Sequence, residues 1–594
     1  MTPMTEAARR RSGRSAAGSA AEWALWCLVP LLVAGSTMLA ILLLHRPIPQ
    51  ADYWDHINWL RGMEQTGFRF ADLFRQANEH RIALPRLVYR ADDALFRSTG
   101  MLCLAVIALS AAAFPLLHWR LYRPLLDTAA SRGFAVLVLT ALGLLFTQSE
   151  NFLWENQVQF LFVYLFAMVG ILGAVRAAEA GAGRFQAMAV AGLEGATWSM
   201  ANGVLAFIPV IILFVWHRRW RTALAYTALA GVTLAAYLAG YVRPPYHPSP
   251  LASLLNHPGA VVLHFLVTLG GIAGVPGEPV GDAARAIMAG LGAAGAAYAL
   301  WRGARRLIAG RPAGTAESVS LLFILYILGS LALTSLGRAE ISVDQGLASR
   351  YQTPVLLFWI NLLLLLLTDP ALPAVRRRGP LAVLAAVIAV FALSFQTLAI
   401  DQAAARAARL GLAMDAVAAG VPDAPALQGS FPVTEVPLTF SDILRRQGRS
   451  LFTDPDYARL GARLDADTGG ALPLMRAAAV AVGPAVQASF AGTVLLARFN
   501  GAAEGGAVEG LRPVTYDRPV FVIDACRTIL GFGRLSTGYE DPANAPRFAP
   551  LSGGPVHLRA YLAEPLFSRS LAAGCAAPEA PGAQRTLTLV LRGR

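Results

Sequence analysis

Asp52 and Asp55 stand three residues apart in the stretch Pro47-Ile48-Pro49-Gln50-Ala51-Asp52-Tyr53-Trp54-Asp55-His56-Ile57-Asn58-Trp59-Leu60. On a helical turn the two carboxylates share a face, and a carboxylate so placed can take the proton of an attacking hydroxyl. Trp54 and His56 flank them as candidate substrate contacts. The plainer alternative is an N-cap followed by an aromatic belt. Asn78, Glu79, His80 and Arg81 are four consecutive polar residues before Ile82 and Pro85, a candidate floor for the same site. A second cluster runs from Ser149 to Gln157, where Glu150, Trp154, Glu155, Asn156 and Gln157 combine carboxylates, amides and an indole. Sugar hydroxyls and the C–H face of a sugar ring call for such groups, although solvated loop acids are the competing reading. Arg350 and Tyr351 form a third cluster. A guanidinium there can grip a phosphate bidentately, or snorkel to anchor a helix end. Arg243, near Tyr246 and His247, is a further candidate for a phosphate contact. His80, His247 and His264 lack ligand spacing, so no zinc centre is expected.

The elements that must hold these residues are read from composition. The chain has 594 residues, of which 56% are apolar and 15% charged, and its mean hydropathy is +0.51. That excludes a soluble domain, a disordered chain and a single-span anchor. Apolar runs predict a first span at 23–44, retained rather than cleaved. Further spans follow at about 101–118, 134–149, 157–175, 185–200, 203–217, 222–241, 283–301, 318–336, 354–368 and 381–400, eleven crossings in all. The run 258–275 lies between Arg-rich flanks that both read as cytoplasmic. It is therefore expected to be re-entrant or interfacial, and its His264, Gly270 and Gly271 suit a broken helix lining a cavity. The formal charge is +13 and all fifty basic residues are arginine. Much of the excess clusters at Arg9–Arg11, Arg120 and Arg123, Arg218–Arg221, Arg302–Arg306 and Arg376–Arg378, between apolar runs, as the positive-inside rule expects. No phosphate-tracking stripe with interleaved aromatics occurs, so nucleic acid is not an expected partner. Residues 1–22 then form a cytoplasmic basic terminus. Outward segments fall at 46–100, 149–156, 242–282 and 337–353. The Lys-free, Ala- and Arg-rich usage points to high-GC coding in a bacterium, hence to its inner (cytoplasmic) membrane.

Residues 401–594 return to an ordinary soluble composition and, by the odd number of crossings, lie outside. A helical stretch at 401–418 and another around Phe440–Leu464 precede a β-rich part from about 476. Its expected strands are Ala478–Val482, Thr493–Arg498, Pro519–Ile523, Val556–Leu562 and Thr586–Leu591. An extracytoplasmic location permits a disulfide between Cys526 and Cys575, but two cysteines alone do not define their distance. Cys27 and Cys103 fall in spans and read as packed thiols.

A first span, an acidic motif immediately outside it, amphipathic segments in the first outer loop at 56–99, about eleven spans and an extracytoplasmic α+β tail together resemble the GT-C superfamily of membrane glycosyltransferases. The resemblance covers residues 23–400 as a transmembrane domain, with the first outer loop at 46–100. It implies a polyprenyl-phosphate sugar as donor and a glycan, lipid or protein as acceptor. It also implies a first-loop aspartate acting on the acceptor, and late-loop Arg and Tyr residues such as Arg350 and Tyr351 on the donor phosphate. Asp52 matches the first-loop acid by position and Asp55 completes a D-x-x-D variant. Tyr53 interrupts the commoner pair of adjacent acids, which leaves the base between Asp52 and Asp55. No cofactor is required by that chemistry, with a divalent cation as an optional aid. Two other classes share parts of the pattern: a polytopic transporter or flippase, and a lipid-diphosphate-dependent polymerase or ligase of envelope assembly. A transporter usually shows repeated halves and intramembrane ionisable residues, whereas here no repeat is seen and Glu194 is the main ionisable residue within a span. The absence of a phosphate-binding glycine loop, a nucleophile elbow and an H-E-x-x-H motif disfavours ATP-driven transport, serine hydrolysis and zinc proteolysis.

Overall fold

The computed structural model describes residues 24–244, 249–274, 276, 280–309, 314–372, 378–464, 475–476, 492–499, 518–537, 556–575 and 588–591. A π-helical turn leads into α1 (Val29–Leu44), and Pro47 and Pro49 separate it from α2 (Tyr53–Thr66). A short hairpin, β1 (Gln76–Ala77) and β2 (His80–Arg81), leads to α3 (Ala83–Leu95). The body continues through α4 (Met101–Tyr122), α5 (Ala129–Leu137), α6 (Ser149–Leu153), α7 (Val158–Ala180), α8 (Gly183–Thr197), α9 (Phe207–Trp216) and α10 (Trp220–Leu238). Then come α11 (Pro250–Asn256), α12 (Pro258–Leu269), α13 (Asp282–Ala309), α14 (Thr315–Arg338), α15 (Gln352–Thr368) and α16 (Arg378–Ala419).

Among the described residues, eight helical stretches are long and apolar enough to cross a membrane: Trp26–Leu44, Met101–Leu125, Ala129–Leu153, Glu155–Ala180, Asp282–Ile308, Thr315–Arg338, Ser349–Thr368 and Gly379–Ala419. The chain is a polytopic helical membrane protein with a small C-terminal sheet. Three stretches expected to span, 185–200, 203–217 and 222–241, fall outside that set. Helix α8 has 15 residues and α9 only 10, while α10 is diluted by Arg221, Tyr226, Tyr237 and three threonines. Within the run 258–275, α12 is unbroken until it stops at Gly270, and the 107° bend lies just before the run, between α11 and α12, the geometry of a broken span or a re-entrant loop.

The four expected outward segments meet at one end of the bundle. Arg338 pairs with Glu79 at 3.0 Å, Gln76 donates to the Val242 carbonyl at 2.6 Å, Arg285 pairs with Asp344 at 3.0 Å, and Asn151 donates to the Arg350 carbonyl at 2.8 Å. The opposite end is tied by other arginines. Arg219 donates to the Ala178 carbonyl at 2.6 Å and Arg302 pairs with Glu317 at 2.9 Å.

The boundary expected at 400/401 does not exist as a break. The span 381–400 and the helix 401–418 are one helix, α16, of 42 residues, because neither Gly nor Pro interrupts the run from Leu381 to Leu410. Beyond it the chain turns back onto the segment that follows α1. Ser430 accepts a hydrogen bond from the Trp54 indole at 2.8 Å and donates to the Pro49 carbonyl at 2.7 Å, and α17 (Glu435–Gln447) packs on α2.

The tail sheet is antiparallel, ordered β3 (Met475–Arg476), β8 (Thr588–Leu591), β5 (Arg518–Ile523), β6 (Ile529–Thr537), β7 (Val556–Ala563), β4 (Gly492–Phe499). The expected strands near 493, 519, 556 and 586 are present. Strand β6 was not foreseen, and Ala478–Val482 lies outside the described residues. Arg534 of β6 pairs with Asp415 at 2.8 Å and Arg559 of β7 with Asp423 at 2.6 Å, docking the sheet on and just beyond the end of α16. Cys526 and Cys575 form the disulfide, whereas Cys27 and Cys103 are free.

Helices α7 and α8 touch backbone to backbone through small residues, the means by which helices associate where no water drives them together. A Cβ on Gly192 would lie 2.4 Å from the Gly170 nitrogen, whereas one on Gly231 of α10 would meet nothing. Gly192→Val should therefore destabilise the fold by about 1–3 kcal/mol, and Gly231→Ala should leave it unchanged or slightly better. Thermal unfolding in lipid nanodiscs checks this; equal midpoints for the two variants would contradict the packing.

Candidate active site

Asp52 occupies the N-cap position of α2 yet makes no side-chain capping bond. Asp55 follows within the first turn. Neither carboxylate has a hydrogen-bond or ion-pair partner among the described residues, and both reach water. The opposite face of α2, with Tyr53, Ile57 and Leu60, is buried. Both acids are exposed, with neighbouring segments crowded around them. Burial pushes the Asp52 carboxyl above its ordinary value and the Glu79 charge adds to this, while His80, Arg350 and Arg338 pull it down. Burial likewise pushes Asp55 up to about 6, the Asp52 charge reinforces it, and Arg86 opposes it. Asp52 is thus the acid that feels the guanidiniums of the fourth outer segment, and Asp55 is the acid that feels Asp52.

Beside Asp52 lies an arginine cradle. Glu150, at the start of α6, accepts from Arg350 Nη1 at 3.2 Å and from Arg406 Nη1 at 3.3 Å. Arg406 lies over the Trp154 ring, 4.3 Å from its centroid, and Arg350 over Tyr351 at 5.1 Å. The Arg406 Nε is buried without a hydrogen-bond partner among the described residues. Loop-to-loop bonds fix the backbone beneath. Ser349 Oγ donates to the Thr147 carbonyl at 2.7 Å, the Glu150 amide donates to Ser349 Oγ at 3.1 Å, and Asn151 donates to Thr353 Oγ1 at 2.8 Å. Arg350 is thus no lone anchor at a helix end, and Glu150 is no solvated loop acid.

Glu79 sits in the two-residue turn between β1 and β2, where Asn78 takes a positive φ of 51°. It meets Arg338 at 3.0 Å and His80 at 3.5 Å. Glu79, His80 and Arg338 act on Asp52 by charge.

Several expected substrate contacts are instead used for packing. Trp54 is buried against Ser430 because the tail covers that side of α2. His56 falls beside the apolar stripe of α2 and is bound to Asp93 at 3.0 Å. Burial alone would raise Asp93, but His56 and then Ser98 and Arg90 hold it below the ordinary carboxyl value. Arg81 spends its donors on the carbonyls of Phe74, Tyr237 and Ala239, closing the end of α10. Glu155, Asn156 and Gln157 are buried behind α2, where the Asn156 carbonyl accepts from Tyr89 at 2.9 Å. Arg243 is exposed on the segment docked to the hairpin, and no contact among the described residues brings it to Arg350. Tyr246 and His247 lie outside the described residues. Arg406 was not foreseen, because it lies beyond the expected end of the last span; the uninterrupted helical run through residue 410 was the signal for it. Among the described residues, no group of three or more His, Cys, Asp or Glu side chains gathers as a metal site.

No protein-family model, curated protein or solved structure matches this chain. Its class, a polytopic helical membrane protein, rests on its own helices.

The raised Asp55 carboxyl has a consequence for stability. The folded protein holds this proton up to about pH 6, whereas an unfolded chain releases it near 3.9, so this group's contribution to stability falls as pH rises between those values. Asp55→Asn should therefore unfold at a higher temperature than the parent above about pH 6, and the gap should close towards about pH 4. A gap that does not change with pH would overturn the assignment of this strain to Asp55.

Proposed function

We propose that the protein is a membrane glycosyltransferase of GT-C type, which moves a sugar from a polyprenyl-phosphate donor to an envelope glycan, lipid or protein acceptor. The observation that carries this reading is Asp52, a carboxylate without a hydrogen-bond partner among the described residues and under the influence of the Arg350 and Arg338 charges. An acid placed near guanidiniums, with its pKa elevated by its surroundings, is suited to take a proton while an anion is held alongside.

In the proposed reaction the acceptor hydroxyl approaches from the aqueous side and loses its proton to Asp52. Its oxygen forms a bond to the anomeric carbon as the bond from that carbon to the phosphate oxygen breaks. The electron pair leaves on the polyprenyl monophosphate, and inversion results. Arg350 and Arg406 stabilise the charge that develops on the phosphate, Arg406 through the Nε that has no described partner. Glu150 keeps the two guanidiniums side by side. The leaving phosphate needs no proton, so one base suffices. Asp55 supports the charge balance of Asp52, and the Trp154 ring backs the Arg406 guanidinium.

The proposed topology has eleven crossings. The short helices α8 and α9 with their 3-10 lead, and α10, run between the same two ends as the eight long stretches: Trp198 meets Phe74 edge to face at the Asp52 end, while Arg219 reaches the Ala177 and Ala178 carbonyls at the other. Arginine clusters at that other end favour the cytoplasm for it. The disulfide in the tail favours an oxidising compartment for the Asp52 end, the outer face of a bacterial inner membrane.

Asp52→Asn should abolish sugar transfer from polyprenyl-phosphate sugars in nanodiscs while leaving thermal unfolding intact; near-parental transfer would remove Asp52 from the base role. Arg406→Ala should raise the donor KM about tenfold or more, the worth of a charge-assisted hydrogen bond, with a smaller effect on the acceptor KM. Released polyprenyl monophosphate would distinguish this reaction from a ligase, which releases a diphosphate.

A further inference from the structure

The end of the bundle remote from Asp52 has a cavity of its own. It measures about 470 Å³ and is bounded by Tyr298, Trp301 and Arg305 of α13 and by Asp369 and Leu372 after α15. Three arginines stand on the last turns of α13 and two carboxylates face them. Arg302 is buried and pairs with Asp369 and with Glu317, and Arg306 pairs with Glu317 at 2.6 Å. Those two guanidiniums satisfy both acids. Arg305 has no carboxylate partner among the described residues and lies over the Trp301 ring, 4.9 Å from its centroid. The Tyr298 hydroxyl is buried with no hydrogen-bond partner among the described residues.

Among the described residues the cavity thus offers one surplus positive charge between apolar and aromatic walls. Its position is at the ends of two stretches of spanning length, Asp282–Ile308 and Ser349–Thr368, the depth at which lipid headgroups lie and aromatic rings prefer to sit. Leu300, Leu307 and Ile308 are exposed on the same helix, where acyl chains would run. A zwitterionic headgroup would leave the surplus charge in place, whereas an anionic one cancels it.

We propose that this cavity binds the phosphate of an anionic phospholipid, with Arg305 as the phosphate ligand and Trp301 as the floor on which that guanidinium is held. This site is independent of the transfer reaction and lies at the other end of the molecule.

The test uses the full chain in nanodiscs of phosphatidylcholine doped with phosphatidylglycerol, reading retained lipid by native mass spectrometry. Phosphatidylglycerol should be retained above its bulk fraction. Arg305→Gln should lower that retention about fivefold, the worth of one arginine at an anionic surface. Arg305 is exposed and touches mainly Trp301, so the variant should fold, as its unfolding midpoint would verify. Trp301→Leu, which keeps Arg305 but removes its floor, should lower retention as well. Equal retention of the two lipids by the parent, or parental retention in Arg305→Gln, would overturn the proposal. Displacement of the lipid by inorganic phosphate alone would assign the cavity to a soluble anion and overturn it equally.

Discussion

Glu150 accepts hydrogen bonds from Arg350 and Arg406, and through those bonds three segments distant in the chain become one surface. Arg350 opens the α15 span, Glu150 stands at the start of α6, and Arg406 rides on α16. Taking charges out of water is costly unless they are paired and hydrogen-bonded, so the partly buried carboxylate and its two guanidiniums specify one arrangement of these segments. The trio still carries one net positive charge. It is therefore both a clasp between helices and a place where a further anion is favoured.

The rest of the Asp52 end is built around that clasp. The segment after α1 folds into α2, a tight hairpin and α3, and it is held by neighbours from elsewhere in the chain. Ser430 of the tail holds Trp54, α10 receives Arg81, and Arg338 reaches Glu79. Buried polar groups in such a place need partners, and most of the polar side chains of the loop have found them. Asp52 and Asp55 have no such partner among the described residues and stay exposed, and the protein around them raises their proton affinity.

Much of this was readable in the amino-acid sequence. Apolar runs located the long helices, Asp52 and Asp55 stood out by type and spacing, and β-branched runs located most of the tail strands. The misplacements have physical causes. His56 lies next to the stripe of Tyr53, Ile57 and Leu60 on α2, which was present in the sequence and points inward. Trp54 is buried by a segment more than 370 residues later in the chain, a pairing that no local pattern encodes. Glu155 and its neighbours follow a tryptophan that does meet the arginine cradle, but the chain re-enters a helix at once and carries them into the core. Arg406 was hidden by composition, since the helix changes from apolar to Ala- and Arg-rich near residue 400 without changing its backbone.

That continuity gives α16 the character of a ruler. From Arg378 to Arg406 an unbroken helix rises about 42 Å, close to the full thickness of a bilayer including its headgroups, about 40–45 Å. The helix is therefore long enough to carry Arg406 from one face of a bilayer to headgroup depth at the other. Glu150 and Trp154 hold the arginine at that mark, so the reach of the helix is fixed by side-chain contacts as well as by its length.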